Sequence, residues 1–332
     1  MQNRSRNHEP AWRRQTTAAV LGFLPVLAAQ AQSGVWPQKP VRLVVSSSAG
    51  GPYDDVARAL GPRLTEIWGQ TVIVENRAGA GGTIGAPFVA KAAPDGYTMM
   101  LGNAGPMAIN PLLQKNLPYS TQRDFAPITL IMSAPMVLVV HPSMPVRSVR
   151  ELVTLVSARP GRINYASAGV GNLQHLGMEL LMSMARGKMN HVPYKGAAPA
   201  LVDLIAGQVD LMFANIVGAL PHIKGGRLRP LAVSSAARSS LLPAVPAVAD
   251  SYPQFDVTAW MGLFMPAGTP RELASKIGTD FIQVVKRPDM RERLAGQGAE
   301  AIAGPPEQLA DLVRRESAIY AKVIRDIGLK PE

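Results

Sequence analysis

The sequence predicts an α/β protein of two domains, and three observations indicate this class. Short β-branched runs alternate with helical patterns along most of the chain, which is typical of strands joined by helices. The length of 332 residues is enough for two such domains. Two strand–loop–helix segments of the same design also occur, one near residue 50 and one near residue 170.

The first of these segments predicts an anion site. The run Val41–Val45 is β-branched, the loop 46–51 is rich in small residues, and a helical pattern continues from Val56. The N–H groups at a helix start are unpaired and carry a partial positive charge, and small residues let an anion reach them. We therefore expect a negatively charged ligand at this loop.

The second segment repeats this arrangement. A strand at Ile163–Tyr165 is followed by the small-residue loop 166–172 and a helix from Leu173. One loop from each domain would then hold one small anion between them. Asp54 and His175 each have a second interpretation: Asp54 would hold its loop by bonding backbone N–H groups, and His175 would help to orient the loop before its helix.

The remaining elements follow in alternation. The patterns predict strands at 72–74, 97–101, 163–165, 191–192, 209–213, 228–233 and 260–264, and helices near 87–91, 149–158 and 198–205. The apolar, β-rich segment from Phe125 to Val140 precedes a turn at His141–Pro145. Beyond Phe264 the pattern is helical to about Ile327. Crossings near residues 138 and 258 would connect the two domains through a hinge.

The N-terminus has the pattern of an export signal. Arg4, Arg6, Arg13 and Arg14 are basic, residues 18–29 are apolar, and Ala29-Gln30-Ala31 matches a cleavage site. Residues 1–31 are therefore predicted to be a signal peptide that sends the mature chain to the periplasm. The Arg13–Arg14 pair leaves the general and the twin-arginine routes open, and a disordered basic tail is the alternative.

Composition excludes several classes of function. The chain has no cysteine, which excludes thiolate nucleophiles, disulfides and cysteine metal sites. Its net charge is +11, but aromatic residues make up only 5% and no nucleic-acid-binding motif occurs. Residues 79–85 fail the dinucleotide-binding spacing, and His175 and His191 lack metal-ligand spacing. We expect no cofactor, no metal and no nucleic acid.

Serine hydrolases are the enzyme class that the sequence must be compared with. Ser167 lies in Tyr165-Ala166-Ser167-Ala168-Gly169, which lacks the first glycine of the G-x-S-x-G motif. His175 and His191 are candidate bases, but no spacing connects them to the serine. Catalysis is therefore the minor alternative.

A set of short motifs carries a resemblance to a known family. They occur in this order: Trp36-Pro37-Gln38-Lys39-Pro40, Gly50-Gly51-Pro52-Tyr53-Asp54-Asp55, Val74-Glu75-Asn76-Arg77-Ala78-Gly79, Pro94-Asp95-Gly96-Tyr97-Thr98, Asp124-Phe125-Ala126-Pro127, Tyr165-Ala166-Ser167-Ala168-Gly169, His191-Val192-Pro193-Tyr194-Lys195-Gly196 and Asp203-Leu204-Ile205-Ala206-Gly207-Gln208. The mature chain thereby resembles, over nearly its whole length, the Bug (TctC-type) receptors of tripartite tricarboxylate transporters.

The resemblance implies a type II periplasmic-binding-protein fold with mixed, mostly parallel sheets, a hinge and a cleft. Domain 1 would comprise residues 32–138 and 258–332, and domain 2 residues 139–257. The implied function is a non-catalytic, monomeric receptor that captures a small mono- or dicarboxylate and delivers it to membrane permease subunits. A ligand sensor for a signalling partner is the alternative, followed by an exported serine hydrolase.

The resemblance also implies a set of ligand contacts. In the first domain these are Ser48, Ala49, Gly50, Pro52, Tyr53, Asp54, Asn103 and Ala104; in the second they are Ser167, Ala168, Gly169, His175, Ala214 and Asn215. Two positions depart from the family pattern, because Tyr53 replaces a common threonine and Ala214 a common aspartate. Alanine cannot accept a hydrogen bond from a ligand ammonium, so we expect a ligand without an α-amino group. The identity of the ligand stays open.

Overall fold

A mixed β-sheet with helices on its faces forms the centre of the structure. The structure, a computed structural model, describes residues 36–47, 49–79, 82 and 84–330. The predicted signal peptide, residues 1–31, lies outside the described residues, as does Ser48. Within the described ranges the strand order is β2-β1-β3-β9-β4-β7-β5-β6, and β8 and β10 also pair with β4.

The elements have the following bounds. The strands are β1 (Val41–Val45), β2 (Val72–Asn76), β3 (Thr98–Gly102), β4 (Phe125–Val140), β5 (Asn164–Ser167), β6 (Asn190–Pro193), β7 (Leu211–Asn215), β8 (Arg229–Val233), β9 (Thr258–Pro266) and β10 (Glu300–Gly304). The helices are α1 (Pro52–Trp68), α2 (Gly85–Ala90), α3 (Asn110–Leu113), α4 (Thr121–Asp124), α5 (Val149–Ala158), α6 (Leu173–Ala185), α7 (Ala197–Ile205), α8 (Ile216–Lys224), α9 (Arg271–Val285), α10 (Pro288–Gly296) and α11 (Pro306–Asp326). A π-helical turn spans Gly105–Ile109, and a 3₁₀ turn spans Val248–Asp250.

The first half of the sheet is built from the predicted alternation of strands and helices. β1 lies between β2 and β3 and is parallel to both. Its apolar residues Leu43, Val44 and Val45 are buried, as expected for a strand covered on both faces. The loop after β1 and the loop after β3 therefore leave the same edge of the sheet.

The long strand β4 is shared by both halves of the sheet. From Phe125 to Pro135 it pairs antiparallel with β9, and from Met136 to Val140 it pairs antiparallel with β7. β8 and β10 pair with β4 in the same antiparallel sense. The sheet is thus mixed, which confirms the predicted α/β class with mixed sheets. Its described strand pairings are more often antiparallel than parallel, however, because β4 pairs antiparallel with all four of its partners.

The second half has an apolar core on each face of its sheet. β5 lies between β6 and β7 and is parallel to both. Successive residues of β4 point to opposite faces, so Leu138 packs in one cluster with Phe213, and Val139 packs in the other with Met212. This double burial explains why β4 is an unbroken apolar run in the sequence.

One predicted element is wrong. The segment expected to be helical to about Ile327 contains β10, whose Glu300 and Ala301 pair with Ser133 and Met132 of β4. The strand contains two alanines and only one β-branched residue, Ile302, so it gives little local signal, and its pairing with β4 determines its conformation. The division into two domains at 138 and 258 stays a prediction. Residue 138 lies in β4, which pairs in both halves of the sheet, and residue 258 is the first residue of β9.

Candidate ligand-binding site

The loop after β1 ends at a helix start with free donors. Gly51 caps α1 with extended backbone and no side-chain hydrogen bond, and Pro52 occupies the first turn. Asp55 donates its N–H to the Gly51 carbonyl at 3.0 Å, while the N–H groups of Tyr53 and Asp54 have no acceptor among the described residues. The start of α1 therefore offers two backbone donors.

Asp54 holds this loop in shape, which confirms one of its two interpretations. Its carboxylate is buried and accepts hydrogen bonds from the Gly50 N–H at 2.8 Å and from Arg58 Nε at 2.9 Å. Burial alone would raise the pKa of Asp54, but hydrogen bonds from Arg58, Gly50 and Asn76 keep this pKa below its usual value. The aspartate stays ionised and fixes Gly50 in its left-handed conformation, φ 76°.

The loop after β3 presents an amide side chain. Asn103 Oδ1 accepts a hydrogen bond from the Gly105 N–H at 3.0 Å, and the Asn103 carbonyl accepts one from Met107 at 3.2 Å. Both bonds lie at the start of the π-helical turn. They leave Asn103 Nδ2 without an acceptor among the described residues, so this amide can donate to a ligand.

The start of α6 mirrors the start of α1. Asn172 caps the helix by accepting the His175 N–H at 2.9 Å, and His175 Nδ1 accepts the Gly171 N–H at 3.1 Å. This confirms the interpretation of His175 as a residue that orients its loop. Within the described chain, the N–H groups of Leu173 and Gln174 have no hydrogen-bond acceptor.

Two predicted donors in this loop are already engaged. The Ala168 N–H donates to Gln174 Oε1 at 2.8 Å, and the Gly169 N–H donates to Ser167 Oγ at 3.2 Å. In this conformation, a ligand that bonded to either amide would have to displace an internal hydrogen bond. The free donors of the second half lie one turn further on, in α6.

These helix starts line one cavity of about 470 Å³. Its lining residues are Tyr53, Asn103, Ala104, Gly105, Ile109, Asn110, Leu113, Gln114, Val170, Gly171, Asn172, Leu173, Leu329 and Lys330. They combine side-chain amides, apolar side chains, a phenol and one lysine, and none of these described lining residues carries a carboxylate. Burial and, to a smaller extent, the charge of Glu316 raise the pKa of Tyr53 to about 12, so its phenol stays protonated.

The structure brings only some of the predicted contacts to this cavity. Tyr53, Asn103 and Ala104 line it. The other described residues of the predicted set are not in its wall: Ala49, Gly50, Pro52, Asp54, Ser167, Ala168, Gly169, His175, Ala214 and Asn215. Ala214 packs in the apolar core, and Asn215 caps α8 by accepting the Val217 N–H at 3.0 Å.

The structure also adds residues that the sequence analysis missed. Asn110, Leu113 and Gln114 come from α3 and its end, which the sequence analysis did not predict. Lys330 follows the turn that ends α11. The only local signal for the first group is the Asn110-Pro111 pair, which is typical of a helix start.

Behind the second loop lies a stacked cluster of rings. His191 packs against both His175 and Tyr165, whose ring centroids are 4.0 Å and 4.8 Å from its own. Ser167 Oγ is 2.7 Å from His191 Nε2, and the Tyr165 hydroxyl hydrogen bonds to Glu179. Burial, and the charge of His191, lower the pKa of His175 to about 4, and burial also lowers the pKa of His191. Both imidazoles are therefore neutral near pH 7.

His175 and His191 line a second cavity, of about 630 Å³, next to the first. Glu179, Lys188 and Asp326 also line it. Among the residues that the structure describes, no group of three or more histidine, aspartate or glutamate side chains is arranged to hold a metal ion. Within these same residues, none of the helices is long and apolar enough to cross a membrane.

Comparison with known proteins places the chain in a family. The model of the tripartite tricarboxylate transporter family receptor matches residues 56–329. BugT of Bordetella pertussis is 35% identical over 306 residues, which cover 92% of this chain and 94% of that protein.

Solved structures agree with this assignment. The structure of Rpa4515 of R. palustris with adipate has a TM-score of 0.74 and 35% identity, and the match covers 90% of this chain and all of that one. MatC of Rhodopseudomonas palustris, with bound malate, has a TM-score of 0.70 and 33% identity over 87% of this chain and 99% of that one. The fold and the sequence together show that this chain belongs to the TctC, or Bug, family of tripartite tricarboxylate transporter receptors.

Proposed function

We propose that the chain is an exported receptor that captures a small carboxylate in the 470 Å³ cavity and delivers it to a membrane permease. In this proposal it does no chemistry on its ligand. Residues 32–138 with 258–332 form one lobe, residues 139–257 form the other, and β4 and β9 connect them. Closure of the two lobes would bring the starts of α1 and α6 together around the ligand.

The observation that carries the proposal is the convergence of donors on a cavity whose described lining residues include no carboxylate. Free N–H groups at the starts of α1 and α6, and the Asn103 amide, belong to segments that line the same space. Such donors stabilise a negative charge, and a second negative charge from the protein would oppose it. The relatives that hold adipate and malate support a carboxylate ligand.

The same lining supports a ligand without an α-amino group. A buried ammonium needs a carboxylate or carbonyl partner, and no aspartate or glutamate is among the described lining residues. The position where an aspartate is common in the family holds Ala214, which is buried in the core. We therefore expect malate and adipate to bind more tightly than aspartate and glutamate.

Binding of a carboxylate panel to the mature protein tests the proposal. A ligand at one hundred times its dissociation constant should raise the free energy of unfolding by about 2.7 kcal/mol, which a thermal shift detects. The substitution Asn103→Asp keeps the acceptor for Gly105 but turns the free donor into an anion. It should lower the affinity at least about 100-fold, because a like charge would face the carboxylate.

The matched control is Asn190→Asp, which makes the same change in the exposed strand β6 and should leave affinity unchanged. If no carboxylate shifts the melting temperature, or if both variants bind as the parent does, the proposal fails. Loss of uptake of the ligand on deletion of the gene would separate transport from a sensing role.

One contact favours a second candidate, an exported serine hydrolase. Ser167 Oγ and His191 Nε2 are within hydrogen-bonding distance, as a nucleophile and its base must be. However, Ser167 is fully buried, and no carboxylate among the described residues hydrogen bonds to His191 to orient it. Turnover of ester substrates that is lost in Ser167→Ala would favour this candidate over the receptor.

A further inference from the structure

The end of α11 fixes the position of the last described residues. Gly328 has the left-handed conformation, φ 68°, that ends many helices. Its N–H donates to Arg325 O at 3.1 Å, and the Leu329 N–H donates to Ile324 O at 3.0 Å. These two bonds form a Schellman motif, in which the chain turns back across the helix end. Leu329 then packs against the core of the first half.

This turn places Lys330 on the wall of the ligand cavity. Lys330 is the only charged residue among the described lining residues. Among the described part of the chain no carboxylate forms an ion pair with it, and its side chain is exposed. A flexible ammonium on a four-carbon stem can therefore reach a negative group in the cavity without first breaking a described ion pair.

Apolar side chains occupy the remainder of the wall. Ile109, Leu113, Val170, Leu173 and Leu329 all line the cavity together with the helix starts. The cavity therefore offers three kinds of contact to one ligand: backbone and amide donors, an apolar surface, and a cation. A molecule with a carboxylate at each end and methylene groups between them satisfies all three.

We propose that Lys330 is a specificity-determining residue that pairs with a second carboxylate, so that the receptor selects dicarboxylates over monocarboxylates. This inference rests on the proposed function, since it assumes that the first carboxylate binds at the helix starts. Lys330 adds a contact that only the second carboxylate can make.

Pairs of acids that differ only in the second carboxylate test the inference. Calorimetry would compare adipate with hexanoate, and the shorter straight-chain diacids with their monoacids, on the mature protein. We expect the parent to prefer the diacid of the best-binding pair by about 10-fold or more. Lys330→Met should remove this preference, because it lowers the affinity for the diacid alone. Lys330→Arg, which keeps the positive charge, should retain most of the preference.

Lys286→Met, at an exposed lysine just after α9, is the control and should leave both affinities unchanged. In the parent, a higher salt concentration should weaken binding of the diacid more than binding of the monoacid. In Lys330→Met it should weaken binding of both acids equally. A preference for diacids that persists in Lys330→Met, or its absence from the parent, would overturn the inference and leave the receptor function standing. Failure of all the acids to bind would overturn both.

Discussion

At the scale of single residues, His175 links the ligand loop to the ring cluster behind it. Its Nδ1 accepts the Gly171 N–H, and Gly171 lines the ligand cavity. Only a neutral imidazole has this acceptor, and burial keeps the ring neutral. The shape of the loop therefore depends on the protonation state of one side chain.

We predict that His175 makes the protein less stable in acid. Its pKa is about 4 in the folded chain, below the ordinary value of 6.5. Between these two values the unfolded chain holds a proton that the folded chain does not, so stability falls as the pH falls. The loss from this group between pH 7.5 and pH 4.5 should be about 2 kcal/mol.

Urea unfolding of the parent and of His175→Asn at both pH values measures this loss. The variant should lose about 2 kcal/mol less than the parent on acidification. His141→Asn, which changes a histidine outside the ring cluster, is the control. Equal acid losses in the parent and His175→Asn would contradict the prediction.

The residues of the site differ in how far the sequence could predict them. Tyr53, Asn103 and Ala104 follow strands at the edge where ligands bind in α/β sheets, and all three line one cavity. Their contact with a ligand stays a prediction. Asn110 and Lys330 reach the same cavity through the packing of a π-helical turn and a helix end. No local pattern marks such a placement, because it depends on contacts between distant segments.

At the scale of elements, the close fit of β3 determines how the Asn103 loop is held. Gly102, the last residue of β3, lies against Phe264 of β9 and Met107 of the π-helical turn. A Cβ at Gly102 would lie 2.8 Å from Phe264 Cδ2 and 2.9 Å from Met107 Cγ. Glycine is therefore required here by packing, directly before a residue of the cavity wall.

We predict opposite effects for the same substitution at two glycines. Gly102→Ala should lower the free energy of unfolding by about 2 kcal/mol, because the buried ring and thioether must shift. Gly296→Ala should raise it by about 0.5 kcal/mol, because this residue lies in α10 with no atom within 4 Å of the new Cβ. Chemical denaturation of both variants gives the two values.

The prediction would be wrong if Gly102→Ala were as stable as the parent. A loss of ligand affinity in Gly102→Ala, but not in Gly296→Ala, would connect the packing of β3 to the Asn103 loop.

Elements with strong local patterns were predicted well, and elements that depend on distant pairing were not. The predicted helix at 149–158 agrees with α5, because Ser148 caps its first turn and its apolar residues follow the helical period. By contrast, α8 contains Pro221, which argues against a helix, and β10 forms only by pairing with β4. In both cases tertiary contacts override local preference.

At the scale of the whole molecule, a buried carboxylate connects α11 to the shared sheet. Glu316 is buried and accepts a hydrogen bond from Trp260 Nε1 of β9 at 2.8 Å. Burial raises the pKa of Glu316 to about 8, although Trp260 and Arg315 favour its ionised form. The folded chain therefore holds a proton here at neutral pH.

We predict that the free energy of unfolding falls at alkaline pH, where Glu316 loses this proton. The pKa of Glu316 is higher in the folded chain than its ordinary value of 4.5. Its contribution is therefore complete below pH 4.5 and is lost as the pH rises toward 8. Between pH 6 and pH 8.5 the loss from this group should be about 2 kcal/mol.

Glu316→Gln should remove this loss, because glutamine keeps an acceptor for Trp260 and has no charge to bury. Chemical denaturation at pH 6 and pH 8.5 measures the difference, and Glu307→Gln, an exposed position in the first turn of α11, is the control. Equal alkaline losses in the parent and Glu316→Gln would refute the prediction.

The strand β4 has a consequence for any attempt to divide the molecule. Because it is hydrogen bonded to β9 and β10 at one end and to β7 and β8 at the other, a cut near residue 138 would divide β4 and separate most of it from all four partners. Both fragments would expose a long row of unpaired backbone groups and would self-associate. We therefore expect a gene cut near residue 138 to give two fragments that aggregate, whatever movement the halves undergo.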